Sequence, residues 1–442
     1  MQSNKFSIEQ ALDKLKINAL NEMQLASLEA NKKHQDIILL SATGSGKTLA
    51  FLLPVLQLLE VDNKETQALI IVPSRELAIQ IEKVFKSIVS GFKVTCCYGG
   101  HKREIEENNL LEPPALLIGT PGRLADHIRR GNLSLTYIHT VVLDEFDKSL
   151  EMGFQDEMSF IIRSLPALNK RILTSATEAV EIPTFMGLNK PHRLDFLLGR
   201  EDTNELLAVR SLYSDTIDKT EALFRLICFI GDQSTIIFCN HRETVEQVSE
   251  MLDKKGIRNE FYHGALEQKE RDSALGKFRN GTSDVLVTTD LASRGLDIPN
   301  IRHIIHFQLP LTEDAYTHRN GRTARQEASG TITLILGPKE YLPAYIDSKI
   351  EQLKLPATFA IPDKPKWMTL FIAAGKKDKI NKIDIVGFLS NKGQLKKEDI
   401  GLIEVKDYFS FVAVRKSKIA NTLALIREEK IKNRKIKIEV AK

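Results

Sequence analysis

Short apolar runs alternating with longer amphipathic stretches fill this chain up to about residue 340, and that alternation dictates parallel β-sheets. Residues 36–40, 68–72, 115–118, 140–143 and 171–174 read as strands buried on both faces. Between them lie stretches such as 75–89, in which apolar residues recur at helical spacing. Strands separated by helices imply βαβ units, with helices covering both faces of the sheet. The series then restarts. Residues 235–239, 259–262, 285–289, 303–306 and 330–336 repeat the strand pattern, with helical stretches such as 242–255 between them. A single core rarely grows past about 250–300 residues. The expectation is therefore an α/β chain with two tandem domains, 1–200 and 206–360, joined by a polar stretch near 199–205.

The pattern changes after Pro356, Pro362 and Pro365, which punctuate a linker. Residues 368–373 read as a strand, 382–389 as a helix, 400–405 and 409–414 as strands, 417–428 as a helix and 436–440 as a last strand. This βαββαβ order predicts a small α+β domain over 366–442 on the ferredoxin-like plan of RNA-recognition modules. Charge sets it apart too. Residues 364–442 hold 20 Lys and Arg against 9 Asp and Glu, a surplus of 11. The whole chain carries only +4, so the remainder sums to −7. A basic tail on an acidic body suits a polyanionic partner. No apolar run reaches the roughly 18 residues of a membrane span, and no signal-peptide core opens the chain. Cys96, Cys97, Cys228 and Cys239 lack the spacing of a zinc site or a disulfide framework and read as small buried apolar residues. A cytoplasmic protein without a membrane partner is expected.

Two clusters carry the chemistry. Ser41-Ala42-Thr43-Gly44-Ser45-Gly46-Lys47-Thr48 follows an expected strand and opens a helical pattern, where a phosphate-binding loop belongs. Gly44 and Gly46 let backbone N–H groups of the loop approach phosphates, and the helix N-terminus adds its positive dipole end. Lys47 is placed to reach the β- and γ-phosphates, and the Thr48 hydroxyl to hold Mg²⁺. Asp144-Glu145-Phe146-Asp147 follows the strand 140–143, at the end of a sheet where ligands of open α/β folds bind. Asp144 is expected to hold Mg²⁺, partly through water, and Glu145 to polarise the attacking water.

With these in place the chain resembles the DEAD-box ATP-dependent RNA helicases, and further blocks carry the likeness in order. Pro73-Ser74-Arg75-Glu76-Leu77 resembles the family's PTREL, Gly99-Gly100 its GG, Thr120-Pro121-Gly122-Arg123 its TPGR and Ser175-Ala176-Thr177 its SAT. Phe238-Cys239-Asn240 opens the fourth motif, and Gln268-Lys269-Glu270-Arg271 is similar to QxxR. The run from Thr289-Asp290 through Arg294-Gly295-Leu296-Asp297 resembles the fifth motif, and His318-Arg319-Asn320-Gly321-Arg322-Thr323-Ala324-Arg325 the sixth.

The resemblance implies two RecA-like parallel-sheet domains, ATP and Mg²⁺ as cofactors and RNA as partner. It assigns Arg322 and Arg325 as arginine fingers, Gly295 and Asp297 to the ATP ribose and Gln24 to the adenine. Pro73, Arg75, Gly100, Thr120, Gly122 and Arg123 on the first domain, with Arg271, Thr289 and Asp290 on the second, would hold the RNA sugar-phosphate backbone, which positions a strand without reading it. Ser175, Thr177, Asp147 and His318 would couple hydrolysis to domain movement. The tail, including residues 375–380, resembles the RNA-binding domain of DbpA-type helicases, which implies a structured hairpin of large-subunit ribosomal RNA as target and ribosome assembly as context. Phe409 and Phe411 either stack on bases or pack a core. A monomer is expected.

Three departures stand out. Phe146 replaces the usual Ala of the acidic motif, Asn320 and Ala324 replace Ile and Gly in the sixth, and the segment around Gln24 lacks the family's Gly-Phe and Pro. One further activity stays open at this point, an ATP-dependent RNA clamp or chaperone with little processive unwinding, while a DNA helicase is disfavoured because the TPGR, QxxR and sixth-motif set resembles the RNA-directed family.

Overall fold

Two seven-stranded sheets and one four-stranded sheet make up the computed structural model, which describes residues 7–42, 44–89, 91–100, 103–177, 182–197, 207–290, 301–323, 330–346 and 349–441. Two compact units divide the chain: Met1–Thr203 with Arg294–Asp297, and Asn204–Ser293 with Ile298–Lys442.

In the first unit the strand order is Val94–Cys97, Leu116–Gly119, Ala68–Ile71, Thr140–Leu143, Lys170–Ser175, Asp36–Ser41 and His192–Phe196, all parallel. Period-two alternation sends neighbouring side chains into two cores. Ile70, Ile118, Val142 and Ile172 pack into one face, while Leu69, Leu117, Val141 and Leu173 pack into the other. The second unit contains a sheet in the order Asn259–Tyr262, Val285–Thr288, Thr235–Phe238, His303–His306, Gly330–Leu336, Leu207–Tyr213 and Glu351–Gln352. Numbered from its own first strand, this is the strand order of the first unit, although no repeat is visible in the sequence.

The strands that the apolar runs did not announce lie next to or at the sheet edges. Val94–Cys97 buries only alternate residues, and His192–Phe196 is half exposed throughout. An edge strand needs no continuous apolar run, so periodicity hid both.

The third sheet lies in the second unit and is antiparallel, in the order Ile400–Val405, Ser410–Arg415, Trp367–Ile372 and Ile438–Val440. With the helices Lys382–Asn391 and Ile419–Ile426 it forms the expected βαββαβ arrangement. One face packs Leu370, Ile372, Ile403, Val412 and Val414 against its own helices. The other face meets the helix Gln268–Arg279 of the neighbouring sheet. A Cβ built on Gly276 would lie 2.8 Å from the Phe411 ring, and Phe411 is only 2% exposed. Thr369 is hydrogen-bonded to Thr282 at 2.8 Å and to Asn280 at 3.3 Å, and Arg279 pairs with Glu404 at 3.3 Å. Phe371, Phe409 and Phe411 form a cluster with ring centroids 5.3 to 5.9 Å apart, with the Lys269 ammonium 5.6 Å from the Phe371 ring. The open choice for the tail aromatics resolves toward packing for Phe411, whose ring covers Gly276.

Candidate active site and RNA-contact surface

The strand Asp36–Ser41 delivers the phosphate loop, and Gly46 starts the helix Lys47–Leu58. Gly46 has φ +93°, which favours glycine, and a Cβ there would stand 2.6 Å from the Gln24 amide nitrogen and push that carboxamide aside. Lys47 turns onto the carbonyl of Ser41 and lies 3.4 Å from that of Ala42, while Ser41 and Ser45 hydroxyls share a 2.7 Å bond. Ser41, where the strict pattern has Gly, thus braces the loop from inside. Gly44 has φ +82°, and Thr48 follows Lys47 in the first helical turn. Thr43 lies outside the described residues.

Gln24 sits in the helix Glu22–Lys33, capped by Asn21. Its carboxamide oxygen accepts the Asn21 N–H at 3.0 Å, and its nitrogen donates to the Gly46 carbonyl at 3.2 Å. Asn21 Nδ2 adds a bond to the Ser45 carbonyl at 3.0 Å. The divergent segment therefore grips the phosphate loop with two side chains.

Asp144 and Glu145 follow the strand Thr140–Leu143, both buried. Glu145 adopts φ +50°, a left-handed conformation costly for a non-glycine residue, of a kind found where an active site holds a side chain in place. Burial first, and then the neighbouring Glu145 charge, push the Asp144 carboxyl up to about 7. Thr174 bridges the two: its hydroxyl donates to Asp144 and lies 3.3 Å from the Glu145 N–H, which it accepts. Glu145 Oε2 is buried without a hydrogen-bond partner. Thr177 Oγ1 donates to Asp147 at 3.1 Å, and Ser175 Oγ closes a turn onto the Thr177 carbonyl at 2.8 Å. The SAT block is thereby wired to the acidic block. Phe146 is buried in the core with Leu143, Met158 and Ile161, which shows how the aromatic departure is accommodated.

The expected RNA residues of this unit converge behind the loops that follow neighbouring strands. Ser74 caps the helix Arg75–Ile88, with Pro73 buried before it. The Arg75 guanidinium stacks over the Tyr98 ring at 4.6 Å, beside Gly100. Thr120 stands at the start of the helix Pro121–Arg129, which carries exposed Gly122 and half-buried Arg123 in its first turn. Arg123 pairs with Glu106 at 2.9 Å.

In the second unit Arg319, fully buried, is the organising group. It donates to both Asp290 oxygens, to the Gln308 carbonyl at 2.9 Å and to the Asn240 side chain at 2.8 Å. Asp290 is thus held by the sixth motif. Thr289 follows the strand Val285–Thr288, Arg271 lies in the first turn of Gln268–Arg279, and Arg322 and His318 are buried. His318 contacts Asp314 one turn back. Gly295, Asp297 and Arg325 lie outside the described residues.

Asn320, the unusual residue of the sixth motif, accepts from buried His306 at 2.9 Å. Burial, then the Arg319 charge, hold that imidazole down at about 3, and burial beside Arg210 and Arg302 holds His303 down at about 4. An unfolded histidine takes its proton near 6.5, so the unfolded chain binds more protons between about 6.5 and 3. The second unit should therefore lose stability as pH falls through that window. Asp284, raised to about 6 by burial, offsets part of the loss, because folding favours its proton. Replacing the pair together, His306→Leu with Asn320→Ile, should flatten the fall in thermal midpoint between pH 7.5 and 5. An unchanged slope would place the acid sensitivity elsewhere.

Comparison with known proteins agrees with this geometry. The DEAD/DEAH box helicase model matches residues 21–183, the helicase conserved C-terminal domain 218–327 and the DbpA RNA binding domain 369–440. ATP-dependent RNA helicase DbpA of Escherichia coli (strain K12) is 33% identical over 98% of this chain and 96% of its own length. The chain belongs to the DEAD-box family of ATP-dependent RNA helicases. The DbpA of Bacillus subtilis (strain 168) is 30% identical over 98% of the helicase. Among solved structures, S. cerevisiae Dbp5 bound to RNA and ADP BeF3 is similar at TM-score 0.65 and 27% identity, covering 76% of the helicase and 88% of that chain. Mss116p bound to ssRNA and AMP-PNP matches at TM-score 0.67 and 27% identity, over 75% of the helicase and 72% of that chain. The two large sheets are the RecA-like pair expected of an ATP-dependent RNA helicase. No described helix is long and apolar enough to cross a membrane.

Three residues central to this geometry escaped the sequence reading. Thr174 and Arg319 each bind two motif residues, and Glu106 binds Arg123 together with His127 and the Tyr98 N–H. Only Arg319 stood inside a quoted motif, and nothing in its neighbours marked it as the buried hub.

Proposed function

We propose that the helicase remodels structured large-subunit ribosomal RNA during ribosome assembly, with motor halves at 1–200 and 206–360 and an RNA anchor at 366–442. The observation that carries this reading is the anchor. It matches the DbpA RNA binding domain, it lies in the part of the chain with a charge surplus of 11, and it docks on the helix that begins with the QxxR block. RNA held by the tail would be delivered beside Arg271, Thr289 and Asp290.

The acidic site fits a divalent cation. Two adjacent buried carboxylates, one pushed up to about 7 and the other with an unpartnered oxygen, form a donor set whose repulsion Mg²⁺ would relieve. Thr48 and Asp144 would hold it, and it would neutralise charge on the transferring phosphates. The loop from Ala42 to Thr48 binds the phosphates through its N–H groups. Lys47 swings from the Ser41 carbonyl to the β- and γ-phosphates. Glu145 orients and polarises the attacking water. Arg322 and Arg325 act as fingers, Gly295 and Asp297 hold the ribose, and Gln24 stabilises the loop beside the adenine. Thr177–Asp147, Ser175 and His318 link hydrolysis to RNA release. Pro73, Arg75, Gly100, Thr120, Gly122 and Arg123 grip the RNA backbone on the first unit. The setting is a cytoplasmic monomer without a membrane partner.

ATPase assays with a large-subunit ribosomal RNA hairpin fragment, generic structured RNA and single-stranded DNA test the reading. The hairpin should give half-maximal stimulation at a concentration at least about tenfold lower than generic RNA, a difference of about 1.4 kcal/mol. Equal potency of all RNAs would remove the ribosomal assignment.

A further inference from the structure

The helix Arg103–Leu110 carries one inward carboxylate, Glu106, which is 1% exposed and belongs to none of the helicase motifs. Its Oε1 accepts the backbone N–H of Tyr98 at 2.8 Å, and its Oε2 accepts Arg123 Nη1 at 2.9 Å and His127 Nε2 at 2.8 Å. Asn132 Nδ2 stands 3.1 Å from His127 Nδ1. Its amide has hydrogens to give, so His127 carries its proton on Nε2 and donates to Glu106. Burying a carboxylate is costly unless it is paired and fully hydrogen-bonded, and here both oxygens are engaged.

Two partners of Glu106, Tyr98 and Arg123, stand beside and within separate RNA blocks. Tyr98 immediately precedes Gly99-Gly100, and its ring carries the Arg75 guanidinium at 4.6 Å. Arg123 ends the TPGR block. The Thr120 N–H donates to the Cys97 carbonyl at 3.0 Å, joining the same two loops through backbone. Cys97 lies close enough to Glu106 and His127 for the three to resemble a metal-ligand set. The chemistry argues otherwise. Both Glu106 oxygens are already taken by N–H donors, and Arg123 supplies the positive charge.

We propose that Glu106 is a positioning residue for RNA: a buried carboxylate hub that locks the PSREL, GG and TPGR loops into one preorganised backbone-binding surface. The proposal rests on the reading of Arg75, Gly100, Thr120 and Arg123 as RNA contacts. Preorganisation acts on affinity, because loops already ordered lose less freedom when RNA binds.

The test is RNA-stimulated ATP hydrolysis by the full chain, comparing Glu106→Gln, Arg123→Ala and the double variant. Glutamine can still accept from Tyr98 but turns an amide N–H₂ toward two donors, Arg123 and His127. Glu106→Gln should raise the half-saturating RNA concentration about tenfold, leaving the KM for ATP and the turnover at saturating RNA within about twofold. On top of Arg123→Ala it should add less than about twofold, because the two act as one unit. Glu106→Ala is the second variant, read in the same way if the glutamine variant has a lowered thermal midpoint. Failure of Arg123→Ala itself to weaken RNA would refute the RNA assignment of this surface. An effect of Arg123→Ala with none from either Glu106 variant, or full additivity of the two, would overturn the positioning role alone.

Discussion

Glu145→Gln should slow ATP turnover by at least about a hundredfold while ATP and RNA still bind, the range expected when a positioned general base is lost. The structure explains why the loss is confined to chemistry. Glu145 leaves the end of Thr140–Leu143 in a left-handed conformation that aims its carboxylate, and its Oε2 has no hydrogen-bond partner to be broken by the change. Glutamine keeps the shape but cannot accept a proton from water. It also removes the charge that helps push the Asp144 carboxyl up to about 7, so the folded state should be no less stable. Single-turnover hydrolysis alongside binding of a fluorescent nucleotide separates the two effects. Near-normal hydrolysis would assign the base to another group.

Arg319→Ala should clearly destabilise the second unit. The guanidinium is fully buried and ties Asp290, Asn240 and the Gln308 carbonyl together. Its removal leaves the Gln308 carbonyl and the Asn240 side chain without their donor and takes the cation from the part-exposed Asp290 carboxylate, at a cost of about 1–3 kcal/mol. Lysine is no substitute, since one ammonium cannot reproduce the planar fork that serves three partners. Denaturant unfolding should show the loss with a lowered midpoint. On the proposed RNA role of Asp290, RNA affinity should fall as well, since the group that orients it is lost. A variant with the parent midpoint would mean that the hub is a bystander.

The central strands were legible because burial on both faces forces continuous apolar runs, as at Thr140–Leu143 and Val285–Thr288. Half-exposed strands such as His192–Phe196 carry no such run, and the short exposed strand Glu351–Gln352 has no signal at all. Loop chemistry was legible where glycine and charge recur at fixed spacing, as from Ser41 to Thr48. Single polar hubs were not. Thr174, Glu106 and Arg319 acquire meaning only when strands distant in sequence bring their partners together. The orientation of the tail was equally hidden, since alternation shows that Phe409 and Phe411 share a face but not what that face meets.

Gly276 sits in the interior of a helix, where glycine costs roughly 1 kcal/mol relative to alanine. The Phe411 ring occupies the space a methyl group would fill. The motor helix thus carries, in one unfavourable residue, an imprint of the domain docked on it. A motor half without such a tail has no physical reason to keep that glycine, so the helix doubles as a written record of the chain's own architecture.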